Sequence, residues 1–158
     1  MSIMTLTVKL LDCPLADGGW KGSIEIDSKS TFVQLHSAIQ QAVEFESDHM
    51  YQFTITSSSR AYGGTDNIAI GSTFAGFADD NFEYDVLTTT LEDIFPLPTG
   101  KNLIYWFDFG DDWMFKVTKS RKATHEPVKG TKYPRLVDEK GVKPVQYPDY
   151  DEEDFDEE

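Results

Sequence analysis

The run from Asn102 to Lys119 constrains the fold more than any other part of the chain. It reads N-L-I-Y-W-F-D-F, then G-D-D, then W-M-F-K-V-T-K. Aromatic and β-branched side chains at this density suit the pleated, half-buried surface of a strand. Gly110-Asp111-Asp112 interrupts them with turn residues, so the segment reads as two strands closed into a hairpin. On the first strand, Trp106 and Asp108 share one face while Tyr105, Phe107 and Phe109 share the other.

A second hairpin is written at the start. Met4–Leu11 and Trp20–Ile26 both alternate apolar and polar residues, with Cys13-Pro14 and Asp17-Gly18-Gly19 between them. Ser30 is placed to cap a helix whose apolar positions, Phe32, Leu35, Ile39, Ala42 and Val43, recur at helical spacing. Tyr51–Thr56 reads as a third strand, and short strands fit near Ile68–Ile70 and Glu83–Val86. Thr90–Phe95 reads as a capped helical turn stopped by Pro96. The order predicts an α+β fold: two β-hairpins and further strands in a mixed sheet packed by one main helix. A hairpin followed by a packed helix is β-grasp-like, the order of ubiquitin-like domains, an analogy that carries no function.

Charge divides the chain of 158 residues further. The formal net charge is −14, but residues 1–115 carry −12, residues 116–143 carry +6, and the last ten residues carry eight carboxylates and no base. This predicts a single domain over 1–120, an extended basic arm over 121–148, and a disordered acidic tail over 149–158. Tyr150 and Phe155 would let that tail fold back over the basic stretch. A single Cys13 excludes an internal disulfide framework, no apolar run approaches membrane-spanning length, and Met1–Thr7 lacks a basic leader segment. A cytoplasmic protein with no membrane contact is expected.

Several chemistries lack their residues. There is no phosphate-binding G-x-x-x-x-G-K-[ST] or G-x-G-x-x-G, no C-x-x-C pair, and no G-x-S-x-G nucleophile elbow. What remains is the carboxylate group Asp108, Asp111 and Asp112, whose mutual repulsion a divalent cation or basic partner would relieve. Turn formation alone also accounts for Asp111 and Asp112. His36, at the edge of the helix stripe, and His49, before the third strand, could join Asp111 and Asp112 as N/O ligands for a divalent metal. Tyr51, Trp106 and Trp113 offer an aromatic face for a protein partner. The basic stretch 116–143, with Tyr133 and Tyr147, could track nucleic acid, although the negative body and tail oppose a polyanion.

At Tyr105–Trp113 the residues form Y-x-F-D-F-G-D-D-W. This resembles the core of the plasmid ORF-three-like family, named after an Ri-plasmid reading frame, whose members are also called insertion-element passenger TnpR-like proteins. Thr31–Gln40 is similar to the family helix, His49–Phe53 to its H-x-y-x-F strand, Leu91 with Ile94 to a short segment, and Tyr133-Pro134 to a later Y-P. Departures are Trp20-Lys21-Gly22 for W-R-R, Met114 where many members carry His, and Lys143–Tyr147 in place of P-P-E-D-x-G-G. The resemblance implies an α+β fold and association with mobile elements, without an agreed reaction. The leading expectation is a non-enzymatic protein-interaction module. The alternatives are a metal-dependent hydrolase or nuclease using Asp108, Asp111 and Asp112, and nucleic-acid binding through 116–143.

Overall fold

The computed structural model describes residues 2–11, 19–47, 49–61, 66–71, 82–108, 113–144 and 146. Cys13, Asp111, Asp112 and the acidic stretch 149–158 lie outside these residues. The elements are β1 (Ile3–Leu10), β2 (Trp20–Asp27), α1 (Phe32–Val43), β3 (Tyr51–Thr56), β4 (Ile68–Gly71), β5 (Tyr84–Asp85), α2 (Leu91–Ile94), β6 (Asn102–Phe107), β7 (Trp113–Lys119) and β8 (Arg135–Gly141). They form one sheet in the order β5-β4-β3-β6-β7-β1-β2-β8. Among the described residues β4 and β5 run parallel and the other paired strands antiparallel, so the sheet is mixed and the fold is α+β. Both expected hairpins are present, β1 with β2 and β6 with β7.

α1 crosses one face of this sheet. Its capping residue is Thr31 rather than the expected Ser30: Gln34 N–H donates to Thr31 Oγ1 at 3.4 Å, and Thr31 N–H donates to Gln34 Oε1 at 2.8 Å. That reciprocal pair satisfies two of the helix's open donors. Ser30 serves a different contact, its carbonyl accepting from Leu91 N–H at 2.9 Å and so tying α2 to the start of α1. α1 ends at Glu44, which takes a left-handed conformation with φ 60°. Phe32, Leu35, Ile39, Ala42 and Val43 are all buried against the sheet, as their spacing predicts. Each large side chain buried there contributes roughly 1.5–3 kcal/mol.

The two sheet faces are unequal. Leu6, Val8, Phe53, Tyr105, Phe107 and Phe115 face α1 and form the main core. The opposite face holds a small cluster of Ala61, Ile104 and Met114, with Trp106 and Leu11 packed against it.

The stretch expected as an extended arm contributes structure to the sheet. His125 bridges to Ile3, and Arg135–Gly141 forms β8 against β2. An edge strand bears solvent on both sides over much of its length, so it needs no apolar alternation and tolerates charge. Arg135-Leu136-Val137-Asp138-Glu139-Lys140 therefore lacks the period that reveals the other strands. Trp20 closes the seam, its Nε1–H donating to Glu139 Oε1 at 2.8 Å.

Candidate functional site

The polar residues of the α1 face of the sheet form a directed chain through the core. Ser47 N–H donates to Gln40 Oε1 at 2.9 Å, and Gln40 Nε2–H donates to Tyr105 Oη at 3.0 Å. Tyr105 Oη lies 2.5 Å from His36 Nδ1. With the phenol oxygen already accepting from Gln40, its own hydrogen needs an acceptor, and Nδ1 is the partner in reach. This assigns the neutral His36 tautomer that carries its proton on Nε2. Burial supports the assignment, pulling His36 down to about 4. The same burial pushes Tyr105 well up and, with Asp85 adding to it, Tyr51 up to about 12. Tyr51 stacks parallel on His36 with centroids 3.7 Å apart.

Asp108 departs from its expected place. The alternation of β6 holds through Phe107, but Asp108 leaves the strand with φ 63° and is 7% exposed. Its N–H donates to Met50 O at 2.9 Å, and its Oδ2 lies 3.4 Å from His49 Nε2. The carboxylate thus turns to His49 rather than standing beside Trp106. His49 lies edge-on to Phe107, with centroids 5.8 Å apart. His36 lies 6.1 Å from the same ring, so the two histidines both pack on Phe107, one deep in the core and the other at its margin.

The expected aromatic face does not form a single surface. Tyr51 and Trp113 lie opposite Phe107 in the strand register and so share its α1 side, whereas Trp106 lies opposite Gln52 and Met114 on the other side. Period-two alternation separates them. Trp113 is also fully buried; it packs on Phe45 at 4.9 Å, and its Nε1–H has no hydrogen-bond partner among the described residues. Among the described residues no group of three or more His, Cys, Asp or Glu is placed to hold a metal ion. Asp111 and Asp112, the remaining metal candidates, fall outside those residues.

The basic residues of 116–143 are dispersed as well. Arg135 donates to Glu25 at 2.8 Å, and Lys143 pairs with Glu44 at 2.7 Å and Glu139 at 3.4 Å. Lys116 and Lys140 lie on β7 and β8. Glu46 N–H donates to buried Gln146 at 2.7 Å, which returns the chain to the end of α1.

A groove of about 680 Å³ runs between the outward side of α1 and the segment 127–134. Ser30, Gln34, Ser37 and Gln41 supply hydroxyls and amides on one wall, and Pro127, Tyr133 and Pro134 form the other. A smaller space of about 290 Å³ shares Ala38, Gln41 and Pro134 and extends it toward Lys143. Sequence reasoning missed this groove because its far wall is the supposed arm. It also missed Gln40 and Tyr105, although Gln40 stands one helical turn after His36 and is an amide facing the apolar stripe.

These features define an α+β protein with a mixed sheet, one main helix across it, a polar chain through its core and an open groove behind that helix. The family model for plasmid pRiA4b ORF-3-like proteins matches residues 5–154, and the chain belongs to that family. A crystal structure of a protein of unknown function from Methanosarcina mazei Go1 has the same fold, with a TM-score of 0.66 and 23% sequence identity. That match covers 87% of this chain and 69% of the other. No curated protein is a significant sequence match. No helix among the described residues is long and apolar enough to cross a membrane.

Proposed function

We propose that the chain is a non-enzymatic protein-interaction module that holds an extended segment of a protein partner in the groove between α1 and 127–134. The lining of that groove carries the reading. Side-chain hydroxyls and amides from α1 can bond a peptide backbone, while proline and tyrosine on the facing wall supply rigid apolar contact. His36 Nδ1, Gln40 Nε2 and the Tyr105 hydroxyl, by contrast, are engaged with one another inside the core. The plasmid family supports a role alongside mobile genetic elements, and the single Cys13 favours a reducing compartment such as the cytoplasm.

Random peptides displayed on phage and selected on the full chain test this reading, with affinities then measured by calorimetry. Ser37 is exposed, so Ser37→Trp fills the groove without entering the core. Selected peptides should bind Ser37→Trp at least tenfold more weakly than the native chain. Equal affinity for both proteins, or no enrichment, sinks the proposal.

A second reading is a metal-dependent hydrolase or nuclease, supported by the left-handed backbone at buried Asp108 beside His49. Uncommon backbone at a polar, buried residue is a frequent companion of functional sites. In this reading Asp108, His49, Asp111 and Asp112 would supply the ligands of a divalent metal.

A further inference from the structure

Four lysines far apart in sequence share one line across the sheet. Lys116 on β7 stands opposite Lys9 on β1, Lys9 opposite Lys21 on β2, and Lys21 opposite Lys140 on β8. Opposed residues point to the same side of a sheet. This side faces away from α1, because buried Val8, Leu10, Trp20 and Phe115 alternate with the lysines on their strands. Lys9, Lys21 and Lys140 are exposed and Lys116 is half-buried. With strands about 4.8 Å apart, the outer two backbone positions of the line are separated by about 14 Å.

Like charges placed directly opposite one another destabilise a sheet. Among the described residues, none of the four lysines has an acidic partner within 4.0 Å. Two kinds of neighbour border the line on the same face. On one side Thr7 stands opposite Ser23 and Thr118, a row of hydroxyls. On the other, Trp106 stands opposite Met114 and both pack in the small apolar cluster. Of the acids on this face, Glu25 is engaged by Arg135 and His125, while Asp138, opposite Ser23 and two residues from Lys140, borders the line and offsets part of its charge at the β8 end. Glu44, Glu92 and Asp93 belong to the helix ends instead. Charges more than about 8 Å from the line are largely screened at physiological salt.

We propose that this outer sheet face binds single-stranded nucleic acid. The lysine line takes successive phosphates, the hydroxyl row donates to phosphate oxygens, and the half-buried Trp106 ring, backed by buried Met114, receives an unstacked base. Among the described residues this face presents no helix to enter a duplex groove, whereas a single strand can lay both backbone and bases on it. The surface is on the opposite side of the sheet from the α1 groove, so the two sites stand or fall separately.

Fluorescence anisotropy of a fluorescein-labelled 15-residue oligothymidylate, titrated with the full chain, is the test. Four phosphate contacts on a single strand give a log–log salt slope of about −2.8, or about 50-fold weaker binding at 200 mM than at 50 mM salt. Lys9→Gln/Lys21→Gln should halve that slope and weaken binding at least tenfold at 50 mM salt. Trp106→Ala should weaken binding about tenfold and leave the slope unchanged. Lys29→Gln/Lys129→Gln removes the same charge from exposed positions elsewhere and should change neither value. Melting temperatures of all variants confirm folding. Absent binding at 50 mM salt, an equal loss in the Lys29/Lys129 control, or equally tight binding of a duplex of the same length overturns the proposal.

Discussion

Tyr105 and His36 meet in the core with the phenol oxygen 2.5 Å from the imidazole Nδ1, and Gln40 completes the phenol's hydrogen bonding from the other side. Removing that single oxygen strands two partners at once. Tyr105→Phe leaves His36 Nδ1 without a donor and Gln40 Nε2 without an acceptor, in a space that water does not reach. A loss of about 2–3 kcal/mol is expected from urea denaturation, since each stranded buried group costs about 1–3 kcal/mol. An unchanged denaturation midpoint would show that the contact contributes nothing net.

The state of His36 ties stability to pH. An unfolded imidazole takes up its proton near 6.5, but buried His36 does so only near 4. Between those values the unfolded chain binds more protons, so stability falls as pH falls. The His36 contribution to this loss should be about 2 kcal/mol from pH 7 to pH 5, a range above most carboxylate titration. His125 acts in the opposite direction, because the Glu126 carbonyl and the Glu25 carboxylate raise it; its stabilising effect is present at low pH and lost as pH rises. His125 is exposed and its effect is correspondingly screened. Urea midpoints across this range should slope upward with pH, and His36→Gln, whose amide oxygen can still accept from Tyr105, should flatten the slope.

Two glycines are fixed by their surroundings. Gly141 has φ +85°, and a Cβ there would sit 1.6 Å from the carbonyl oxygen of Gly19. At Gly22 a Cβ would meet the Trp20 ring at 2.8 Å, the indole lying flat along its own strand. Gly141→Ala should cost about 2 kcal/mol or more through a strained conformation and a backbone collision. A melting temperature lowered by several degrees would report it. Gly22→Ala should change Trp20 fluorescence as the ring is displaced, with a smaller loss of stability. Alanine at both positions without thermal effect would contradict these contacts.

The metal reading makes its own thermal prediction. Metal-stripped protein is melted with Mg²⁺, Mn²⁺, Ca²⁺, Zn²⁺ or Ni²⁺, beside Asp111→Asn/Asp112→Asn. A cation at 100 times its dissociation constant adds about 2.7 kcal/mol, a shift of several degrees. A rise specific to one cation and absent from the double variant supports a metal centre at the G-D-D segment. A flat panel leaves Asp111 and Asp112 as turn residues.

Local patterns made most elements legible. The β1–β2 and β6–β7 hairpins and α1 each carry their period within a single stretch of sequence. The same alternation placed Trp106 opposite in face to Tyr105, yet the proposed union of Trp106 with Tyr51 and Trp113 needed the register of three strands. Asp108 could not be placed because its left-handed backbone ends the period at Phe107. The contact of Gln40 with Tyr105 and the line of lysines join residues tens of positions apart, and no local signal connects them. β8 was hidden for a further reason: it is an edge strand, and its period is broken.

That break is a bulge. Ser23 stands opposite Asp138, but Ile24 stands opposite Leu136, which leaves Val137 outside the pairing. Leu136 and Lys140 are four positions apart and would share a face in a regular strand. The extra residue shifts the phase, so Leu136 packs toward the core while Lys140 joins Lys21 on the other side. Position 137 should therefore accept many different side chains, and deleting it should be tolerated, because Leu136 opposite Ile24 and Asp138 opposite Ser23 then follow one another in a regular ladder with Leu136 and Lys140 still on opposite faces. The pairings on either side of the bulge fix which face each residue of β8 takes, and the bulged position itself carries no part of that choice.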